Sequence, residues 1–203
     1  MKKLLFALFL LAATVVSAQT PAGYKVGDLA QPFNLKNVDG KTVSPASFPN
    51  AKGFILVFTC NECPYTQAYE QRIIELDKEF RPKGYPVIAI NPNDPRAVPG
   101  DSFEEMVKRA KDKKYTFPYL VDETQEVART YGANRTPHVF VLEKSADSQL
   151  FVRYIGAIDN SSESAKGASQ LYVSDAVNQL LAGKPVSQTL TRAIGCGIKW
   201  KTM

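Results

Sequence analysis

The chain has 203 residues, enough for one domain with a substantial hydrophobic core. Its hydrophobic content of 44% and charged content of 22% are those of an ordinary soluble globular protein, which excludes a disordered or fibrous chain. The net charge of +5 is small and no basic run is interleaved with aromatic residues, so the sequence predicts no nucleic-acid partner.

The N-terminal residues have the pattern of a secretory signal peptide. Two lysines precede an apolar segment at 4–16, which is too short to span a bilayer comfortably, and small residues follow it up to Ala18. We expect cleavage after Ala18, which makes 1–18 a signal peptide and 19–203 a single domain, periplasmic or secreted. The alternative is an uncleaved N-terminal anchor.

After this segment, the hydrophobic pattern predicts strands that alternate with helices. Asp39 and Gly40 form a hairpin turn signal, and Ser102 with Glu105 forms a capping-box pattern that opens a helix. The predicted elements, in chain order, are a hairpin over 33–43, a strand at 54–58, a helix at 64–83, a strand at 87–90, a helix from 103, a strand at 117–121, a short helix ending near 131, strands at 139–142 and 150–155, and a helix at 171–181. A C-terminal tail follows from about 185, and its structure is hard to predict.

Two of these strands are apolar throughout, as in strands that are buried on both faces of a sheet. Strands of this kind in alternation with helices favour an α/β domain whose sheet contains parallel pairs and is covered on both faces.

Cys60 and Cys63 are the strongest chemical signal in the chain. They follow the strand at 54–58 and precede a helix, so both thiols are expected near the positive end of that helix, where backbone N–H groups favour a thiolate. A thiolate attacks disulfides, so the pair predicts redox chemistry. A zinc site is one alternative, but only His138 and Cys196 remain as further Cys or His ligands. A structural disulfide is the other, but the short loop between Cys60 and Cys63 would constrain the unfolded chain only weakly.

A strand, a Cys-x-x-Cys-Pro motif, a helix and a Thr-Pro pair before a late strand together resemble the thioredoxin fold, over roughly 26–181. The N-terminal hairpin and the inserted strand and helix between Ala89 and Leu120 resemble the redoxin branch, which is related to AhpC/TSA proteins and includes exported bacterial thiol-disulfide reductases. The resemblance implies an α/β, thioredoxin-like fold with a central mixed β-sheet flanked by helices. It also implies no cofactor other than a redox-active disulfide between Cys60 and Cys63.

The resemblance assigns roles to individual residues. Cys60 is expected to be the exposed attacking thiolate, and Cys63 the more buried resolving thiol. Pro137 is expected to be cis and to pack against the cysteines, while Thr136 pairs with the substrate backbone.

The motif also departs from thioredoxins. Thr59 stands where they carry tryptophan, and Phe54 stands where they carry a buried acid. Glu62, between the cysteines, is therefore either a proton relay or a solvated carboxylate at the helix start. Because its negative charge opposes a thiolate, we expect a reductant or a near-neutral couple rather than a strong oxidase.

The predicted function is an exported thiol-disulfide oxidoreductase that acts on a disulfide-containing protein or small molecule, with a membrane-bound partner as its electron donor. One alternative is a peroxiredoxin-like thiol peroxidase, although Val57 and Gly53 do not match the residues that usually precede a peroxidatic cysteine.

A second alternative is a copper-binding, Sco-like metallochaperone. Two thiolates and one imidazole form a soft site, here Cys60, Cys63 and His138. A lone histidine beside a strand is otherwise a structural residue. Cys196 has no obvious partner and is an inert thiol, a third redox residue or half of an intermolecular disulfide.

Overall fold

The computed structural model describes residues 23–202. The predicted signal peptide, with its cleavage after Ala18, lies outside the described residues. Within 23–202, no helix combines the length and the apolar character needed to cross a bilayer.

Strands and helices alternate along most of the described chain. The strands are β1 (Leu29–Ala30), β2 (Leu35–Asn37), β3 (Thr42–Val43), β4 (Gly53–Phe58), β5 (Val87–Asn91), β6 (Tyr119–Val121), β7 (Arg135–Thr136), β8 (His138–Lys144), β9 (Leu150–Gly156) and β10 (Cys196–Gly197). The α-helices are α1 (Pro64–Phe80), α2 (Phe103–Asp112), α3 (Glu126–Tyr131) and α4 (Tyr172–Leu181).

Eight strands form one mixed sheet in the order β1-β9-β8-β4-β5-β6-β2-β3. The central strands β4, β5 and β6 run parallel, and β8 pairs antiparallel with β4. Every residue of β4 and of β5 is buried, as the apolar runs at 54–58 and 87–90 predict for strands covered on both faces. The predicted central mixed sheet flanked by helices is confirmed.

The two faces of the sheet carry separate hydrophobic cores. Side chains of α1, α2 and α4 pack on one face, against alternate residues of β4 and β8 such as Val57 and Val139. The neighbouring residues Phe58 and Phe140 point to the other face, where they meet α3 and Ile198 from the C-terminal tail. The tail thus contributes to the core, which sequence patterns did not predict.

Local signals in the sequence account for several element boundaries. The hairpin around Asp39 is formed by β2 and β3, which pair antiparallel. Ser102 accepts a hydrogen bond from the Glu105 N–H at the start of α2. The helix after the cysteine motif ends at Phe80, earlier than predicted, and a 3-10 turn continues to Gly84, whose φ of 96° suits glycine.

Buried ion pairs hold α1, and therefore the cysteine motif at its start, against its neighbours. The Arg72 guanidinium donates to both carboxylate oxygens of Asp159, at 2.9 and 2.7 Å. On the same helix, the Glu70 carboxylate accepts a hydrogen bond of 2.7 Å from Arg109 of α2. Removing one member of such a pair leaves a buried charge uncompensated, so these contacts strongly favour one helix position.

Candidate active site

The cysteine motif lies where β4 ends and α1 begins, as predicted. Cys63 is the N-cap residue of α1, and Pro64 is the first helical residue, where a missing N–H costs little. The Thr66 hydroxyl lies 2.9 Å from the carbonyl oxygen of Cys60 and 2.7 Å from that of Cys63, and it donates to them. Thr66 therefore shapes the turn that carries both cysteines, a role that sequence patterns did not predict.

The disulfide of this site joins Cys63 to Cys196, not to Cys60. The state that the structure describes therefore does not contain the predicted Cys60–Cys63 disulfide. The physical reason is the course of the tail: β10 pairs antiparallel with β7 and sets Cys196 opposite Thr136. This brings the Cα atoms of Cys63 and Cys196 to 6.0 Å, a normal separation for a disulfide.

Cys60 is left as a free thiol and is buried, with 5% of its surface exposed. The expectation of an exposed thiolate is therefore wrong in this state. Its sulfur lies 3.1 Å from the Thr136 hydroxyl and 3.7 Å from the Thr66 hydroxyl. Burial raises the pKa of the Cys60 thiol, and the negative charge of Asp101 raises it further, against the opposing effect of the hydroxyl hydrogen bonds.

Asp101 is a buried acid at this site that sequence reasoning missed. It ends the 3-10 turn Pro99–Asp101 and is 2% exposed. Its carboxylate accepts hydrogen bonds from the Asn61 N–H, at 2.5 Å, and from the Asn93 side-chain amide, at 2.7 Å. The only sequence signal was a Pro- and Asn-rich loop after β5, which indicates rigidity but not proximity to the cysteines.

Glu62 does not occupy the position expected of a proton relay. Its side chain is exposed and lies against Gly100. Within 23–202, no hydrogen bond joins its carboxylate to either cysteine of the motif. The buried acid that influences Cys60 is Asp101, which is about forty residues further along the chain.

Thr136 and Pro137 lie beside the cysteines. The Thr136–Pro137 peptide bond is cis, and Thr136 is completely buried. The Thr136 hydroxyl contacts Cys60, while its carbonyl oxygen lies 3.3 Å from the Cys63 sulfur. One residue therefore contacts both the free thiol and the disulfide.

The predicted alternative copper site is not assembled. His138 is buried in β8 opposite Phe58, and its ring packs against Phe140 on the face away from α1. Burial lowers the pKa of His138 to about 4, so its imidazole is neutral at pH 7. In the described part of the chain, no three His, Cys, Asp or Glu side chains are grouped to hold a metal ion. The alternation of side chains along β8 explains why a residue next to Pro137 does not join the cysteines.

Replacing Asp101 with asparagine is expected to lower the pKa of Cys60, because a negative charge beside a buried thiol is removed. The oxidised protein suits this measurement, since two of the three cysteines are bonded and Cys60 alone titrates. Thiolate absorbance as a function of pH reports the pKa. A lower pKa also leaves more thiolate at neutral pH, so alkylation of Cys60 should be faster in the variant.

Glu62→Gln is the matched control for that measurement, since it removes an exposed carboxylate from the same motif. We expect a smaller change in the pKa of Cys60, because solvent screens an exposed charge. If Glu62→Gln shifts this pKa more than Asp101→Asn does, the assignment of Asp101 is wrong.

The chain is similar to known proteins along most of its length. The model of the AhpC/TSA family matches residues 26–152, more than half of the chain; Cys196 lies beyond the match. A crystal structure of an uncharacterized conserved protein from Geobacillus kaustophilus is 36% identical, with a TM-score of 0.79, over 96% of this chain and 100% of that chain. The exposed lipoprotein thioredoxin Etrx1 from Streptococcus pneumoniae is 21% identical, with a TM-score of 0.54, over 75% of this chain and 99% of that chain, and this likeness shows the thioredoxin-like fold.

Among curated proteins, the thiol-disulfide oxidoreductase ResA of Halalkalibacterium halodurans is 24% identical over 124 residues. The match covers 61% of this chain and 65% of ResA, so the chain spans less than two thirds of that relative. Because this family's model matches residues 26–152, more than half of the chain, the chain belongs to the AhpC/TSA family.

Proposed function

We propose that the protein is an exported thiol-disulfide oxidoreductase that uses Cys60 and Cys63 as its dithiol and acts as a reductant. The observation that carries this proposal is the contact of Thr136 with a free thiol on one side and a disulfide sulfur on the other, at 3.1 and 3.3 Å. A thiol and a disulfide gathered around one residue are the two reactants of disulfide exchange. The similarity to ResA, which is named a thiol-disulfide oxidoreductase, supports the same reaction class.

In the reduced protein, the Cys60 thiolate attacks one sulfur of a substrate disulfide. The substrate S–S bond breaks, a mixed disulfide with Cys60 forms, and one substrate thiol is released. The Cys63 thiolate then attacks the Cys60 sulfur, which releases the second substrate thiol and leaves a Cys60–Cys63 disulfide. Two electrons have passed to the substrate, and its two new thiolates take up protons from water.

The environment of Cys60 favours the reducing direction. A dithiol is a strong oxidant when its reduced form is stabilised, as happens when a thiolate has a low pKa. Here burial and Asp101 raise the pKa of Cys60, so the reduced form lacks that stabilisation. We therefore expect the oxidised protein to be the stable form, which makes the reduced protein a good electron donor.

Export and the partners belong to the same proposal. The substrate is a disulfide-containing protein or small molecule, and the electron donor is a dithiol held by a membrane partner. A disulfide such as Cys63–Cys196 persists in an oxidising compartment, which supports a periplasmic or secreted location.

Mixing the fully reduced protein with insulin tests this function. We expect rapid reduction of insulin disulfides, with the loss of two thiols per molecule of this protein, because one dithiol supplies one pair of electrons. Free thiols are counted by alkylation and mass spectrometry. Parallel mixtures with hydrogen peroxide test the peroxidase alternative: fast oxidation by peroxide with no reaction with insulin would refute the proposed function.

A further inference from the structure

The segment that carries Cys196 is held after this residue by contacts that do not involve the disulfide. The Lys199 N–H donates to the Asn93 side-chain oxygen at 2.9 Å. The Lys199 carbonyl oxygen accepts hydrogen bonds from the Asp94 N–H, at 2.9 Å, and from the Gln125 side-chain amide, at 2.8 Å. Buried Ile198 adds an apolar contact next to them.

The same segment is also held before Cys196. The Thr191 N–H donates to the Ile155 carbonyl oxygen at 3.0 Å, and the Ile155 N–H donates to the Thr189 carbonyl oxygen at 3.0 Å. The Thr191 hydroxyl accepts a further hydrogen bond of 2.9 Å from the Ala157 N–H. Residues 192–197 therefore lie between two anchors, neither of which involves the disulfide.

Between the anchors, the segment lies directly on the residues that precede Pro137. Cys196 pairs with Thr136, and Gly197 pairs with Arg135. The approach at Gly195 is so close that an added Cβ would overlap the Thr136 carbonyl oxygen. An extended substrate strand would need the same backbone groups of Thr136, so it and the tail cannot both pair there.

We propose that Cys196 is a third redox residue of this protein, which takes the disulfide over from Cys60 and so returns Cys60 to the free thiol. This inference rests on the proposed function. After substrate reduction has produced the Cys60–Cys63 disulfide, the Cys196 thiolate attacks the Cys63 sulfur. The Cys60–Cys63 bond breaks, the Cys63–Cys196 bond forms, and the Cys60 sulfur leaves as a thiolate.

This exchange needs no oxidant or reductant, because one disulfide and one thiol are present before and after it. Cys196 gives a proton to water and Cys60 takes one up, so protons balance too. The two anchors keep Cys196 near Cys63. The attack is therefore intramolecular, and the effective concentration of the Cys196 thiol at Cys63 is high. A dithiol donor then reduces Cys63–Cys196 and is itself oxidised to a disulfide. Residues 192–197 are then held to β7 only by the short β10 pairing and by the hydrogen bond from the Arg135 side chain to the Gly195 carbonyl oxygen, which the next substrate strand has to displace at Thr136.

The observed state agrees with the end of this sequence. Cys60 is free and contacts Thr136, while the oxidised pair is Cys63–Cys196. A disulfide with a purely structural role would not require a third thiol in the same group of contacts. Burial and the charge of Asp101 hold the released Cys60 in its protonated form at neutral pH, which disfavours the return reaction.

Disulfide mapping over time tests the relay in the full chain. Reduced protein is oxidised either with insulin or with diamide, quenched with acid at intervals, alkylated and mapped by mass spectrometry. We expect the Cys60–Cys63 linkage to appear first and then to convert to Cys63–Cys196. Because diamide forms disulfides without a protein substrate, the conversion can be followed even if insulin does not react.

Gly195→Ala and Gly197→Ala form a matched pair that leaves all three thiols in place. A Cβ at Gly195 would overlap the Thr136 backbone, whereas a Cβ at Gly197 meets nothing within 4 Å. We expect Gly195→Ala to shift the final ratio of linkages toward Cys60–Cys63 by at least about tenfold, and Gly197→Ala to change it by no more than about twofold.

Three results would overturn the relay. One is wild-type protein that stops at Cys60–Cys63; another is equal behaviour of the two glycine variants. The third is a Cys60→Ser variant that forms Cys63–Cys196 as fast as wild type when insulin is the oxidant, because the bond would then form without passing through Cys60. Failure of the proposed function is distinct: insulin would not react at all, while diamide would still produce the conversion.

Discussion

Cys60→Ser is expected to lower the rate of substrate disulfide reduction by on the order of 1000-fold, because a serine hydroxyl supplies no thiolate at neutral pH. Cys60 is the thiol that the oxidised structure leaves free, with its sulfur 3.1 Å from the Thr136 hydroxyl. Insulin reduction coupled to a dithiol electron source measures the loss. Turnover within a few-fold of wild type would show that Cys60 is not the attacking residue.

Two controls separate lost chemistry from lost structure. The Cys60→Ser variant keeps Cys63 and Cys196, so its disulfide should form under oxidising conditions and its free energy of unfolding should stay within about 1 kcal/mol of wild type. Cys63→Ser is the complementary variant: it retains the attacking thiol but lacks the resolving one. It should accumulate a mixed disulfide between Cys60 and the substrate, visible by mass.

Cys196→Ser is expected to lower the free energy of unfolding by about 3–5 kcal/mol under oxidising conditions, because the lost bond closes a long loop of the unfolded chain. The bonded residues are separated by 133 positions. A loop of this length gives the upper part of the range expected from chain entropy. Denaturant unfolding of the oxidised wild type and of the oxidised variant measures the difference. The slope of the free energy against denaturant concentration is fitted separately for each protein.

Reduction of the disulfide provides the control for this prediction. With an excess of dithiothreitol, both proteins lack the bond, and their free energies of unfolding should agree within about 1 kcal/mol. We expect both to keep the anchors at Thr191 and Lys199, because neither anchor involves the disulfide. Equal stability under oxidising conditions would mean that Cys63 and Cys196 are not bonded in the folded protein. A persistent difference under reduction would mean that the serine disturbs the packing of the tail.

Signals within short segments of the sequence predicted most of the frame of the site. The apolar run at 54–58, the cysteines after it and the proline at the start of α1 determine a strand-to-helix junction through local preferences. The same holds for the hairpin around Asp39 and for the helix start at Ser102. In each case the interacting groups are neighbours in sequence, so a short sequence pattern is enough to predict the interaction.

The contacts that decide the chemistry of the site could not be predicted in this way. Asp101 lies near Cys60 because a loop after β5 folds back over the motif, and nothing in its own neighbourhood in the sequence indicates this. His138 is adjacent to Pro137 in sequence, yet the alternation of β8 turns its ring toward Phe140. His138 lies next to the site in sequence but points away from the cysteines. Asp101 is distant in sequence but lies beside Cys60.

The sequence by itself determined that the chain contains an α/β sheet with two cysteines between a buried strand and the start of a helix, because hydrophobic periodicity and turn residues act over a few positions. Only the tertiary structure decided which cysteines are bonded. That choice depends on β10 pairing with β7 and on anchors spread from Asn93 to Lys199, which bring Cys196 to Cys63 across 133 positions. A disulfide forms where folding places two sulfurs in contact, and spacing in the sequence does not determine that contact.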